Sequence, residues 1–471
     1  MLDRKTTSAS CRSTWRDYQA GLKRSSAKKR FKKKLLIYSP LFSVLLAAIY
    51  AVIAGMGGTA CKHNLPRYGS EVSEASETKA NDNHIKKREI QAAVNKQLFN
   101  NLKSDKLDIT INGKTFHADT SLDMDLQNHI LNSLDLDNSR YIGIVALEPS
   151  TGRVLAMVGF DRTGKTGNPC LESAFPAASI FKIVTASAGI EKCGFSPTSR
   201  FKFNGDKYTL YKSQLKNRTN RYTRRINLRD SFAQSVNPVF GKIGAIYLGK
   251  APLEHYAEVF GFNRHIEFEV PLDSSRVELT DDSYRWAEIA CGFNRETLIS
   301  PVHGALMSAV ICNGGAFVEP TIIDHITDGE GNTIYAGRQI TTDQALLPDT
   351  AKALEVMMNA TVRSGTARKM FRGYTRDKTL SKLDIGGKTG SIMSRKVDKV
   401  RYDWFVGFAK EKNGDSDLAL SVMVAHEKYI GARAGWYART AIQRYFEKYF
   451  REKSDKKSIV KTMPPDKKNH A

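Results

Sequence analysis

The sequence predicts an α+β fold: a mainly antiparallel sheet flanked by helices, preceded by one transmembrane helix and a small pedestal. Three observations predict it. The run from Leu35 to Cys61 contains no charged residue. Strand-like runs cluster near residues 141–158 and again between 384 and 424, with helix-like segments between them. The first two runs, Tyr141–Leu147 and Arg153–Val158, are joined by Pro149-Ser150-Thr151-Gly152, which is strong turn chemistry for a hairpin. Early strands, a helical middle and late strands imply one sheet closed by both ends of the domain.

The elements follow in order. Residues 1–34 hold twelve Lys/Arg against two Asp, and 451–471 hold seven Lys/Arg against three acids, so the ends carry over half of the net charge of +23. Such runs attract polyanions, either nucleic acid or anionic lipid. The apolar run beside the first of them favours lipid, because about 20 apolar residues suffice to cross a bilayer. Lys/Arg excess marks the cytoplasmic flank, so the N-terminus is expected inside and the chain beyond Lys62 outside, with no nucleic-acid partner. An uncleaved anchor fits better than a signal peptide, since the basic region and the apolar run are both long. Gly58-Thr59-Ala60 before Cys61 lacks the leading Leu of a lipidated cysteine. The expected divisions are a basic cytoplasmic tail (1–34), an anchor (35–61), a polar stalk (62–83), a linker or pedestal (84–135), a main domain (136–451) and a flexible basic tail (452–471). Within the pedestal a weak helix is expected over Ile85–Leu102, then one strand-like stretch, Leu107–Phe116. Another helix follows, capped by Thr120 or Ser121. In the main domain helices are expected at 178–192, 227–235, 238–248, 300–312, 348–363 and 434–450, and strands at 384–387, 402–409 and 417–424.

Three short stretches carry candidate chemistry. In Pro176-Ala177-Ala178-Ser179-Ile180-Phe181-Lys182, Pro176 suits a helix start, and Lys182 lies on the same face as Ser179. A serine is a poor nucleophile unless an adjacent base takes its proton, and a desolvated lysine can be that base. S-x-x-K also occurs at Ser25, Ser26, Ser76, Ser213 and Ser454, but only Ser179 opens an apolar helix, with Ile180, Phe181, Ile183 and Val184. The second stretch, Ser235-Val236-Asn237-Pro238, falls between two helices. The third, Gly386-Gly387-Lys388-Thr389-Gly390-Ser391, is strand-like; its glycines suit close approach by a ligand, and its edge suits pairing with an extended peptide.

In this order, Ser179-x-x-Lys182, Ser235-x-Asn237 and Lys388-Thr389-Gly390 resemble the three-motif signature of penicillin-binding proteins and serine β-lactamases. Thr120-Ser121-Leu122-Asp123, Ser364-Gly365-Thr366-Ala367 and Asp403-Trp404-Phe405-Val406-Gly407-Phe408 are similar to that family's flanking segments, so the resemblance covers roughly 117–450. It implies the penicillin-binding/β-lactamase-like fold and a transpeptidase domain over 136–451. It also implies roles: Ser179 attacks a D-Ala-D-Ala stem peptide, Lys182 is the general base, and Ser235 relays a proton to the departing amine. Asn237 holds the substrate amide and Lys182, Lys388 and Thr389 bind the terminal carboxylate, and the N–H groups of Ser179 and Ser391 form an oxyanion hole. The implied partners are peptidoglycan stem peptides, β-lactams as inhibitors, the membrane through 35–61, and cell-wall synthesis proteins. About 60 residues between Lys62 and Thr120 are too few for a glycosyltransferase domain.

Two rivals stand beside a D,D-transpeptidase. A D,D-carboxypeptidase or β-lactamase sends the acyl group to water, but no Glu-x-x-x-Asn loop lies between Asn237 and Lys388; Glu258 and Asn263 have the wrong spacing. A β-lactam sensor or non-catalytic scaffold would need more than the 1–34 tail for signalling. No cofactor or metal is expected, as no C-x-x-C spacing suggests zinc. Cys170 and Cys193 bracket the nucleophile and are a candidate disulfide, with buried thiols as the alternative. Gly159-x-x-x-x-Gly164-Lys165-Thr166 fits a phosphate-binding loop, but Gly167-Asn168-Pro169 bars the helix that such a loop must open.

Overall fold

The structure is a computed structural model that describes residues 85–462 except 166, 338–340 and 395–399. The basic tail 1–34, the apolar run 35–61 and the stalk 62–83 lie outside the described residues. In chain order the main elements are α1 (Lys87–Ala93), β1 (Lys106–Ile111), β2 (Lys114–Thr120), α2 (Met124–Asn132), β3 (Ser139–Leu147) and β4 (Val154–Asp161). Then come α3 (Lys182–Cys193), α4 (Leu228–Ala233), α5 (Asn237–Lys242), α6 (Ser283–Cys291), α7 (Pro301–Cys312), β5 (Ile323–Thr327) and β6 (Thr333–Ala336). The last are α8 (Pro348–Arg363), β7 (Leu383–Met393), β8 (Arg401–Glu411), β9 (Asp417–His426) and α9 (Ala434–Thr462).

A five-stranded antiparallel sheet runs in the order β7-β8-β9-β3-β4. The β3–β4 hairpin therefore docks on β9, the last strand among the described residues, as the early and late strand runs predict. Both faces are covered. Ile144, Phe405, Leu420 and Val422 point into a core shared with Leu126 of α2 and Tyr437 and Ile442 of α9. Val145, Trp404, Val406 and Met423 point into a core shared with Ile183 of α3 and Leu306 and Val310 of α7. Two buried faces explain why these strands read as continuous apolar runs rather than alternating ones. Each fully buried Val, Leu, Ile or Phe contributes roughly 1.5–3 kcal/mol. Helix α7 reaches the sheet closely because Gly304 sits over β9; a Cβ there would lie 2.5 Å from Ser421 Oγ.

The pedestal departs from expectation. Leu107–Phe116 is not one strand but two, β1 and β2, turning at Asn112-Gly113 with φ of 52° and 78°. That Asn-Gly pair supplies the two left-handed residues a tight hairpin needs. The hairpin is completed from far along the chain, in a four-stranded sheet ordered β1-β2-β5-β6. Only Lys87–Ala93 of the expected first helix forms. Helix α2 is capped by neither Thr120 nor Ser121: Thr120 ends β2, the Ser121 hydroxyl donates to the Val154 carbonyl (2.8 Å), and Asp123 accepts from the N–H groups of Asp125 and Leu126. Helix α9 runs on through Thr462, so 452–462 is helical where flexible chain was expected.

Candidate active site

The turn that carries Ser179 is held from three sides. The Pro176 carbonyl accepts from Trp404 Nε1 (2.9 Å), and the Ala177 N–H donates to the Thr297 carbonyl (2.9 Å). Residues Ala178–Phe181 form one tight 3₁₀ turn that leads into α3. Ala178 has φ +48° and Ser235 has φ +56°, conformations costly for residues with a Cβ. Both flank the same groove, so the surrounding structure must hold them there. Gly292, at the end of α6, presses on the turn: a Cβ there would lie 1.8 Å from the Ala178 carbonyl oxygen and 2.8 Å from Ser179 N. Only glycine fits at that point.

Lys182 is wholly buried at the start of α3. Its Nζ lies 2.8 Å from Ser179 Oγ, 2.8 Å from Asn237 Oδ1 and 2.5 Å from the Cys291 carbonyl oxygen. The Asn237 amide is oriented by its other end, where Nδ2 donates to the Tyr208 carbonyl (2.9 Å). Asn237 Oδ1 and the Cys291 oxygen can only accept. A neutral amine has two hydrogens and one lone pair. Those two acceptors take both hydrogens, and the lone pair is left facing Ser179, whose O–H then donates to it. Burial lowers the Lys182 pKa to about 8, and Cys291 opposes that shift. A base with such a value holds a useful neutral fraction near neutrality.

Lys388 is also fully buried, on β7. Its Nζ donates to Ser235 Oγ (3.1 Å) and to the Thr389 carbonyl (2.8 Å), and lies 5.6 Å from the centre of the Phe232 ring. Burial pushes its pKa well below the ordinary lysine value, and the charge of Lys182 pushes the same way. Thr389 Oγ1 and Thr366 Oγ1 share a hydrogen bond of 2.5 Å, which ties β7 to the Gly365-Thr366 turn after α8. Ser391 Oγ donates to Asp403 Oδ1 (2.9 Å). Asp403 receives Arg433 Nε at 2.7 Å and Nη2 at 2.9 Å, and the Ala434 N–H at 3.1 Å. Burial alone would raise the Asp403 carboxyl, but His426, Arg433 and Ala434 together hold it far below its usual range.

Ser179, Ser235, Asn237, Thr389 and Ser391 line one groove of about 810 Å³. The structure thus brings together three stretches far apart in the chain, with Lys182 and Lys388 directly beneath. Gly390 lies against the turn that carries Ser179, where a Cβ would be 3.3 Å from the Ala177 oxygen. Gly386 and Gly387 do not open the strand to a ligand as expected. The space a Cβ would take is filled by the rings of Phe408 and Phe405, 2.4 and 2.3 Å away, so these glycines admit aromatics of neighbouring β8. Cys170 and Cys193 are not a disulfide: both are free thiols. Cys170 Sγ donates to the Val158 carbonyl (3.2 Å), and burial pushes it up to about 12; Cys193 Sγ faces the Tyr247 carbonyl (3.8 Å). Lys165 follows a turn at Gly164 and leads into no helix. Sequence reasoning missed the Cys291 carbonyl, Gly292, Ala178 and the Asp403–Arg433 pair. Asp282 as N-cap and Gly292 past the end of α6 were a legible sign of that helix. Nothing in the sequence links Asp403 to Arg433.

The profile of the family described as "Penicillin binding protein transpeptidase domain" matches residues 142–445. Penicillin-binding protein 1A of Neisseria lactamica is 29% identical over 316 residues, which are 64% of this chain and 34% of that protein. The peptidoglycan D,D-transpeptidase PbpA of Mycolicibacterium smegmatis is 22% identical over 325 residues, 60% of this chain and 61% of that protein. Among solved structures, penicillin-binding protein A of M. tuberculosis, in its ceftriaxone acyl-enzyme complex, has a similar fold. It is 20% identical with a TM-score of 0.56, covering 70% of this chain and 79% of that one. The chain spans 34% to 61% of the length of the curated relatives it matches.

Proposed function

Because the chain belongs to the penicillin-binding protein transpeptidase family, we propose that it is a peptidoglycan D,D-transpeptidase that works through an acyl-enzyme on Ser179. β-Lactams are its inhibitors, and residues 35–61 hold it at the membrane with the catalytic domain outside. The observation that carries this reading is the Lys182 amine, 2.8 Å from the Ser179 hydroxyl, with both of its remaining bonding directions taken by acceptors.

The steps follow from the contacts. Neutral Lys182 takes the Ser179 proton as Oγ attacks the carbonyl of the penultimate D-Ala. The N–H groups of Ser179 and Ser391 receive the oxyanion; losing one such donor typically costs about 10²–10³ in rate. The leaving D-Ala amine needs a proton. Ser235 supplies it, its oxygen held by Lys388 so that its own O–H is available, and the proton that Lys182 took from Ser179 passes to Ser235 to replace it. The substrate's terminal carboxylate, arriving beside Lys388 and Thr389, supplies the counter-charge that burial withholds from Lys388 and favours its ammonium form. An amine of a second stem peptide then attacks the ester carbonyl, and Ser179 leaves with a proton restored.

The test has two parts. A labelled penicillin acylates the purified chain, and Ser179→Ala abolishes the label; labelling that persists in the variant refutes the assignment. Stem peptide with an amine acceptor yields cross-linked dimer. Free D-Ala without dimer identifies a carboxypeptidase instead.

A further inference from the structure

The two ends of the Asn237 amide are nearly alike in size, yet only one orientation serves Lys182. With Oδ1 toward the amine, Asn237 accepts a hydrogen and leaves the amine lone pair for Ser179. Turned over, Nδ2 would donate to that lone pair and occupy the base. The segment 204–214 decides between them. Its Tyr208 carbonyl, which can only accept, takes Nδ2 (2.9 Å), and its Lys207 carbonyl takes the Asn237 backbone N–H (2.7 Å).

Residues 204–211 form neither helix nor strand, so no backbone ladder fixes the two carbonyls. Gln214 does so instead. It stands on a single helical turn, Lys212–Leu215, and is 5% exposed. Its Nε2 donates to the carbonyls of Asn204 (2.9 Å) and Asp206 (3.2 Å), and its Oε1 accepts from the Tyr211 N–H (2.9 Å). One buried amide therefore ties the segment on both sides of Lys207 and Tyr208. The chain wraps it closely at Gly205, where φ is +77° and a Cβ would lie 2.8 Å from Gln214 Nε2. The closed loop also rests on the elements beside the base. Leu210 packs on α5, the helix that Asn237 opens: a Cβ at Gly241 would lie 2.7 Å from Leu210 Cδ1. The Leu210 carbonyl accepts from the Tyr284 hydroxyl (2.9 Å) of α6, the helix whose Cys291 carbonyl accepts from Lys182.

We propose that Gln214 is a positioning residue for the proton transfer: its buried amide closes the loop 204–214, so that the Tyr208 carbonyl holds Asn237 with its oxygen toward Lys182. This rests on the reading of Lys182 as the base for Ser179.

Gln214→Leu keeps the volume of the side chain and removes its hydrogen bonds. The full-length variant is labelled with a fluorescent penicillin from pH 6 to pH 9, and both the rate and the final stoichiometry are read. The stoichiometry, which counts folded sites, stays at the wild-type value, while the limiting rate falls about tenfold. The midpoint of the pH–rate curve moves down by about half a unit to one unit, because the Lys182 ammonium loses an acceptor. Lys388 and the Cys291 thiol are the titratable groups that act on Lys182, and their own hydrogen bonds lie outside 204–214, so the substitution leaves them in place. Tyr284→Phe frees only the Leu210 carbonyl and shifts the midpoint the same way by less; it decides the question where Gln214→Leu labels below full stoichiometry. An unchanged rate, a lower rate with an unmoved midpoint, or a midpoint that rises, as water entering a loosened site would make it, overturns the role of Gln214 alone. A wild-type chain that the penicillin does not label at all overturns the Ser179 reading, and this inference with it.

Discussion

The pH dependence of acylation follows directly from the buried amine. Lys182 must be neutral to take the Ser179 proton, and burial sets its pKa at about 8. The neutral fraction is then about 1% at pH 6, about 9% at pH 7 and about 50% at pH 8. The direction is fixed by the group: raising the pH creates the base, so the rate rises with pH. The second-order rate of labelling by a fluorescent penicillin should climb about fiftyfold from pH 6 to pH 8, nearly tenfold per unit at first and flattening near 8. Lys388 also titrates below its ordinary value, so the observed midpoint belongs to the pair. Loss of the Lys388 charge weakens carboxylate binding and bends the curve down at the alkaline end. Stopped-flow or quenched-gel measurement over pH 6–9 is sufficient. A rate that is flat or falling between pH 6 and 8 would refute Lys182 as the base, whereas a rise of tenfold per unit with no flattening near 8 would mean a lysine titrating at its ordinary value above 10.

Three further outcomes follow. Asn237→Asp puts a carboxylate 2.8 Å from the Lys182 amine; the Lys182 pKa should rise by about 1–3 units, moving the pH–rate curve to higher pH and cutting the rate at pH 7 at least tenfold. Gly292→Ala drives a methyl into the Ala178 carbonyl and displaces the nucleophile turn, so labelling should slow by about 100-fold while circular dichroism stays native. Asp403→Asn leaves Arg433 half-buried without its carboxylate. Denaturant unfolding at pH 7 should show a loss of about 1–3 kcal/mol, because water still reaches the Arg433 side chain, which is 37% exposed. Since the folded Asp403 pKa is depressed, its stabilisation is present above the ordinary carboxylate pKa and fades as the pH falls through the folded value, so wild type and variant should converge in acid.

The residues that converge on the groove were easier to read from sequence than their supports. Ser179, Ser235 and Lys388 meet in one groove, and each sits in a motif whose residue types are needed wherever the fold places them. The sheet was legible because β3, β8 and β9 are buried on both faces and therefore appear as unbroken apolar runs. Supports made of backbone were not legible. The Cys291 carbonyl that accepts from Lys182 has no side-chain signature, and the left-handed Ala178 packs against Gly292 of a helix far along the chain. Gly386 and Gly387 misled for a related reason: a glycine marks a close approach without saying by what, and here it is by Phe408 and Phe405. The Asn112-Gly113 turn was present in the sequence but was read through as strand. That β2 pairs with β5 is a long-range choice that no local pattern carries.

The most direct measurement is the site of acylation itself. The purified chain is incubated with penicillin at pH 8, digested, and its peptides weighed by tandem mass spectrometry. One adduct is expected, on the peptide containing Ser179, with fragment ions assigning it to that hydroxyl, and none in Lys182→Met. An adduct on Ser235 or any other residue, or a chain that stays unmodified while correctly folded, contradicts it.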